Sequence, residues 1–388
     1  MHIKNINLTK YKILRDINLE FNIPENNNVV NLIVGINGSG KTSFLELIFN
    51  SFNGNLGVDA KDSDFEMVYF DTIDNKSYII EPDKNSPSPK IIDIDTKRVL
   101  IRTASLASKY QNENNGDKII YLPSLINFSY NQNTNDLSQT YRFTNKIDAN
   151  FTLRNAELYI RNFILNVERK SLKSNPDDRR KEAIDSFNSI FKDTDFVTKL
   201  YDLDNNLRPV FKTMTNKDVT IDKLSNGEKQ LYARVVSLLI LNPNNSIILI
   251  DEPELSLHPS WQQIILSVYK NIGDNNQFFI ATHSPHIVAS AKYKEVFVFS
   301  KEDAKTVAYH LEKQPVQIDV NNILEEIMQT SYIPKNIKDL QKRYFKLAED
   351  GKKNSKEAQE IKNKLLEYES EYSEFFQRVN FLEEFKGL

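Results

Sequence analysis

Val34-Gly35-Ile36-Asn37-Gly38-Ser39-Gly40-Lys41-Thr42 is a complete G-x-x-x-x-G-K-T phosphate-binding loop. An apolar run ending in Leu32-Ile33-Val34 leads into it, and Ser43-Phe44-Leu45-Glu46-Leu47-Ile48-Phe49 leads out with helical character. Strand, glycine loop and helix are the setting this motif requires. The glycines let the backbone curl so that successive N–H groups face one anion. The helix that follows adds its positive N-terminal end. Gly35, Asn37, Gly38, Ser39, Gly40 and Ser43 build that cradle. Lys41 can reach the β- and γ-phosphates of ATP, and Thr42 can ligate Mg²⁺.

Further along, the chain carries what such a loop needs. Leu224-Ser225-Asn226-Gly227-Glu228-Lys229-Gln230 precedes a long apolar helix, Leu231 to Leu241. Ser225 and the N–H groups near Gly227 sit at its start, a second anion-binding arrangement that taken alone is only an N-cap. Ile247-Ile248-Leu249-Ile250 is a buried-strand run that ends in Asp251-Glu252. Asp251 is placed to hold Mg²⁺ through water and Glu252 to polarise the attacking water. A second apolar strand, Phe278-Phe279-Ile280-Ala281-Thr282, ends at His283, where an imidazole can meet the γ-phosphate and orient the water. His283 and His286 lack further ligands at fixed spacing, so no metal site is read from them.

In this order the motifs resemble the ABC-type ATPases, and most of all their soluble RecF, SMC and Rad50-like branch. Asp251-Glu252-Pro253-Glu254 followed by Leu257-His258-Pro259 is typical of that branch. Asn226 departs from the commoner Gly, and Glu228 stands where transporters carry Gln. The likeness covers residues 1 to 50 and 219 to 300 well and the remainder only generally. It implies a homodimer or higher homo-oligomer packed head to tail, in which Ser225 and Gly227 complete the partner's nucleotide site. It also implies that the segment from Glu254 to His258 lies at that interface and that Tyr11 and Lys12 lie near the base and sugar. A glutamine that senses metal and γ-phosphate belongs to the pattern, with Gln111, Gln132 and Gln139 as candidates.

Composition bounds the remainder. The chain has 388 residues, 40% of them hydrophobic, with 23 Phe and 17 Tyr, enough for a sizeable core. Its 50 basic and 53 acidic residues, net −3, give no global case for nucleic-acid binding. With no cysteine, disulfides, zinc-thiolate sites and cysteine catalysis are excluded. Neither a signal-peptide core nor a membrane-length apolar run is present, so a cytoplasmic protein without membrane contact is expected.

The expected fold is α/β: a P-loop NTPase of ABC type with a mixed central sheet, an antiparallel β subdomain, a helical insertion and a C-terminal helical hairpin. Residues 1–122 form an N-terminal ATPase lobe. It holds two near-alternating strands, then short β runs at Met67–Phe70, Tyr78–Ile80, Ile91–Ile92 and Val99–Ile101, and a strand at Ile119–Leu122. Residues 123–218 read as a loop followed by helices with faces at Leu158, Phe163, Ile164 and Val167, and at Ala183, Ile184, Phe187, Ile190 and Phe191. Residues 219–318 form the second ATPase lobe. Residues 319–388 form a helical tail for partner or self-association. In it Ile361, Leu365, Tyr368, Tyr372, Phe375, Val379 and Leu382 alternate spacings of four and three, a heptad seam.

The tail, including Val320-Asn321-Asn322-Ile323-Leu324-Glu325-Glu326, resembles ATPases of Septu-like and retron-associated anti-phage systems. That resemblance implies a sensor and regulatory subunit controlling a separate HNH nuclease, with nucleic acid reached through the complex. The rival is a DNA-repair ATPase of RecF or Rad50 kind, which calls for a long coiled coil or a basic DNA face. A fused nuclease needs an acidic metal site after His283, for which Asp319, Glu325 and Glu326 do not supply the pattern. A transporter ATPase is disfavoured by the tail and by the Glu254 loop.

Overall fold

The structure is a computed structural model. It describes residues 1–100, 117–124, 144–146, 156–302 apart from 195, 216 and 256, 305–311, and 322–386 apart from 329, 330 and 332. The chain divides into two units, Met1–Met328 and Gln329–Leu388.

The first unit opens with a hairpin, β1 (His2–Tyr11) and β2 (Leu14–Glu20), followed by β3 (Val29–Val34) and helix α1 (Lys41–Asn53) on either side of the phosphate loop. A meander follows: β4 (Asp64–Asp71), β5 (Lys76–Glu81) and β6 (Lys90–Asp93), then β7 (Ile119–Leu122) and β8 (Thr144–Lys146). The insertion contains α2 (Ala156–Lys170), α3 (Pro176–Asn188) and a small antiparallel sheet of β9 (Lys199–Leu203), β10 (Pro209–Lys212) and β11 (Asp218–Thr220). The second lobe runs α4 (Asn226–Leu241), β12 (Ile247–Asp251), α5 (Pro259–Lys270), β13 (Gln277–Thr282), α6 (Pro285–Ser290), β14 (Val296–Glu302) and β15 (Lys305–His310).

Twelve of these strands form one mixed sheet in the order β6-β5-β4-β1-β2-β15-β14-β3-β13-β12-β7-β8. From β14 to β8 neighbouring strands are parallel, and from β6 to β2 they are antiparallel. The short β runs between residues 64 and 93 thus continue the main sheet through β1 instead of standing apart. Parallel strands covered on both faces read as near-continuous apolar runs, and β3, β12 and β13 do so apart from buried Asn31 and the polar strand ends Asp251, Gln277 and Thr282. Leu32, Ile250 and Ile280 face one core cluster, while Ile33, Leu249 and Phe279 face the other. Helix α1 covers the second face with Phe44, Leu45 and Ile48, and α2, α4 and α5 cover the first.

Three details differ from the sequence reading. Ile160 leads the buried stripe of α2 together with Ala156 and Ile164, whereas Leu158 is only half-buried. Residues 199–220 hold the three short strands of the small sheet, at the end of a stretch expected to contain loop and helices. Residues 144–146 form an edge strand inside what reads as a loop.

The second unit contains the expected hairpin, α7 (Lys335–Glu349) and α8 (Lys356–Leu365), and adds α9 (Glu374–Lys386). Ile337, Tyr344, Ala348, Ile361, Leu365, Phe376 and Val379 form its core. The heptad seam is not continuous. The chain leaves the helix after Leu366, and Tyr368 and Tyr372 are 65% and 83% exposed. Ser373 re-caps the next helix from outside the seam, its hydroxyl accepting from the Phe376 N–H at 3.5 Å. Among the described residues, no helix is long and apolar enough to cross a membrane.

Candidate functional site

β3 pairs with β13 from Val29–Gln277 through Val34–Thr282, and β13 pairs with β12 from Gln277–Ile247 through Ala281–Asp251. The carboxyl ends of these three parallel strands therefore lie side by side. They deliver the phosphate loop, His283 and Asp251-Glu252 to one sheet edge, where open α/β sheets bind ligands.

The loop is built on glycine geometry. Gly38 and Gly40 have φ of 74° and 94°, a region that L side chains rarely adopt. Gly40 is also the N-cap of α1 and offers no side-chain cap, so the first-turn N–H groups are left for an anion. Lys41 is 5% exposed, and its ammonium donates to the carbonyls of Gly35 at 2.8 Å and Ile36 at 3.1 Å. Burial lowers its pKa, while Glu252, Glu254 and Asp251 act in the opposite direction.

Asp251 faces Thr42 across this edge. The Thr42 hydroxyl donates to Oδ2 at 3.0 Å, with Oδ1 at 3.3 Å. Burial pushes the Asp251 carboxyl up to about 6; the Thr42 hydrogen bond and Lys41 oppose the shift, and Glu252 adds to it. A hydroxyl and a carboxylate paired in this way are the hard oxygen donors that Mg²⁺ uses beside phosphates. A carboxyl held near its own titration point by burial is a site marker.

Glu252 takes φ 44°, an uncommon backbone for a residue with a long side chain. Pro253 disfavours the right-handed helical region for the residue before it, and the Glu252 N–H donates to Ala281 O at 2.8 Å. The turn carries its carboxylate to His283, with Oε1 3.4 Å from Nδ1. Glu254 Oε1 lies 3.2 Å from the same nitrogen. Two carboxylate oxygens would repel a lone pair, so they favour hydrogen on Nδ1 and leave Nε2 for a substrate. Glu254 is 5% exposed; its Oε1 accepts from Thr282 Oγ1 at 2.8 Å and from the His283 N–H at 2.7 Å. It supports His283 from beneath, a role the sequence reading missed. The available signal was a further acid two residues after Glu252, close behind the apolar run Ile247–Ile250.

Ser225 stands elsewhere. It caps α4 in a capping box: its hydroxyl accepts from the Glu228 N–H at 3.3 Å, and the Glu228 carboxylate accepts from the Ser225 N–H at 2.9 Å. Thr198 Oγ1 donates to the other oxygen of Glu228. Ser225 is exposed, Gly227 half-buried, and no hydrogen bond of Ser225 runs to the loop, Asp251, Glu252 or His283. Within one chain the structure thus gathers Lys41, Thr42, Asp251, Glu252 and His283, and leaves the Ser225 turn as a separate surface feature. Lys12 has φ 50° and pairs with Glu46 at 2.7 Å, which ties the β1–β2 turn to α1. Gln111, Gln132 and Gln139 lie outside the described residues.

Residues 30–289 match the family described as "AAA domain, putative AbiEii toxin, Type IV TA system". The chain belongs to that family. Its mixed sheet and the phosphate loop between β3 and α1 make it an α/β P-loop fold of ABC type. Among relatives of this family member, the retron Vc95 probable ATPase of Vibrio cholerae is 32% identical over 160 residues, 37% of this chain and 31% of that protein. The Septu protein PtuA of Bacillus mycoides is 24% identical over 388 residues, 95% of this chain and 51% of that protein. The chain therefore spans just under a third and about half of the length of these two relatives. Among solved structures, the SMC head domain from Thermotoga maritima overlaps 81% of this chain and 100% of its own, with 14% identity and a TM-score of 0.47.

Proposed function

We propose that this family member binds and hydrolyses ATP with Mg²⁺ in a site that a second copy completes. The observation that carries the reading is the Thr42–Asp251 pair, with Glu252 and His283 beside it at the mouth of the phosphate loop. Lys41 and the loop N–H groups hold the β- and γ-phosphates. Thr42 and Asp251 hold the Mg²⁺, which when bound supplies charge neutralisation of the transferred phosphoryl group. Glu252 accepts a proton from the attacking water, and His283 presents Nε2 to the terminal phosphate. Ser225, exposed, and Gly227, half-buried, which make no hydrogen bond to their own loop, close the site of the facing copy. Nucleotide then joins the two copies, and loss of the γ-phosphate contact loosens them.

The retron and Septu names of the relatives support placing this ATPase in anti-phage defence. In the fuller form of the proposal it is the sensor and regulatory subunit that controls an HNH-type nuclease, with nucleic acid met through the assembled complex. Glu252→Gln should slow hydrolysis by about 10²–10⁴-fold and leave ATP affinity intact; normal turnover would contradict the assignment of the base. Purification with the neighbouring genes of its operon should recover a nuclease subunit. Recovery of DNA alone would favour a repair ATPase instead.

A further inference from the structure

The register between β3 and β14 pairs Val296 with Leu32, Phe297 with Ile33 and Val298 with Val34. Beyond Val34 the first chain becomes the phosphate loop, but β14 continues to Glu302, braced by β15 through Ser300–Val307 and Lys301–Thr306. The end of β14 therefore runs along the loop. The approach is closest at Gly35, where an added Cβ would stand 2.3 Å from the Phe299 carbonyl oxygen. Two residues further on, Lys301 Nζ lies 3.2 Å from the position a Cβ on Gly38 would take, with Cε at 4.0 Å. The Lys301 side chain is exposed and, among the described residues, makes no hydrogen bond or ion pair.

Most surface lysines are simply solvated. This one is carried on a braced strand, has no acidic partner among the described residues, and sits over a loop glycine whose positive φ shapes the anion cradle. Lys41 is the complementary case, a buried ammonium already bonded to two loop carbonyls. An unpaired cation at the outer side of a loop that cradles anions is suited to the charge that a third phosphate adds.

We propose that Lys301 is a second nucleotide-binding cation, which contacts the terminal phosphate of a nucleoside triphosphate and sets a preference for triphosphate over diphosphate. This rests on the reading of the loop as a nucleotide site, and binding measurements separate the two claims. Titrations would use the full chain with Mg²⁺ and either a non-hydrolysable ATP analogue or ADP, comparing wild type with Lys301→Ala, Lys301→Gln and Lys301→Arg. An exposed charge pair in water predicts that Lys301→Ala and Lys301→Gln weaken the analogue by about 3- to 10-fold. ADP affinity should stay within about twofold of wild type, on the same affinity scale. Lys301→Arg should retain the preference, and the difference should fade as ionic strength rises. Equal losses for both nucleotides, or none for either, would overturn the assignment. A wild-type chain that binds neither nucleotide would overturn the site reading beneath it, and this proposal with it.

Discussion

Asp251→Asn should make the metal-free, nucleotide-free chain more stable while it impairs Mg²⁺-dependent nucleotide binding. The folded environment raises the Asp251 carboxyl from 3.8 to about 6, chiefly through burial. At roughly 1.4 kcal/mol per pH unit, ionising this group in the folded chain costs about 3 kcal/mol relative to the unfolded chain. The sign follows directly. Below about pH 4 the group is protonated in both states and carries no penalty. As pH rises through about 6 the folded state loses that stability, and the loss is complete near neutrality. An amide removes the penalty and keeps an oxygen to accept from Thr42, which donates to Oδ2 at 3.0 Å. The variant should therefore gain about 1–3 kcal/mol at pH 7.5 and only about a third of that at pH 4.5, where the unfolded carboxyl is already mostly ionised. Urea unfolding in EDTA at those two pH values measures it. Adding Mg²⁺ and ATP should reverse the order, because only wild type gains ligand linkage. A variant no more stable at pH 7.5, or one with an equal gain at both pH values, would refute the argument that burial strains this carboxylate.

Two further outcomes follow from packing around the site. Gly35→Ala would place a Cβ 2.3 Å from Phe299 O and 2.6 Å from Ser39 Oγ. Forcing the loop off β14 should cost about 1–3 kcal/mol in urea titrations and weaken ATP binding; wild-type values for both would show that the loop tolerates the displacement. Glu254→Ala strips the acceptor from Thr282 Oγ1 and the His283 N–H. It should cost about 2–4 kcal/mol, and Glu254→Gln, which keeps an acceptor oxygen, far less. Equal stability of the two variants would contradict that role.

Much of the nucleotide-binding lobe was legible because its signals are local. A glycine loop between a strand and a helix, an acidic pair after Ile247–Ile250 and a histidine after Phe278–Thr282 each declare themselves within ten residues. What could not be read depends on register between distant segments. Lys301 meets the loop only because β14 runs parallel to β3 and outlasts it. The segment from Glu254 to His258 reads as interface, and its sequence does not show that Glu254 itself turns inward beneath His283. The strands at 64–93 were visible, but their attachment to the main sheet through β1 was not. In the tail, spacing alone suggested one seam through Tyr368 and Tyr372. Helix α8 ends at Leu365 instead, and α9 brings Phe376 and Val379 back to Ile361 and Leu365 as a separate helix.

The claim that the site is shared between two copies is tested most directly by mixing two defective chains. Lys41→Ala disables the phosphate loop, and Ser225→Arg disables the segment offered to the partner. Each alone should be nearly inactive in ATP hydrolysis while remaining folded by thermal melting. Mixed in equal amounts, random pairing gives one intact composite site in each mixed dimer, so hydrolysis should recover to about a quarter of wild type. A mixture that remains as inactive as its two components would contradict the account.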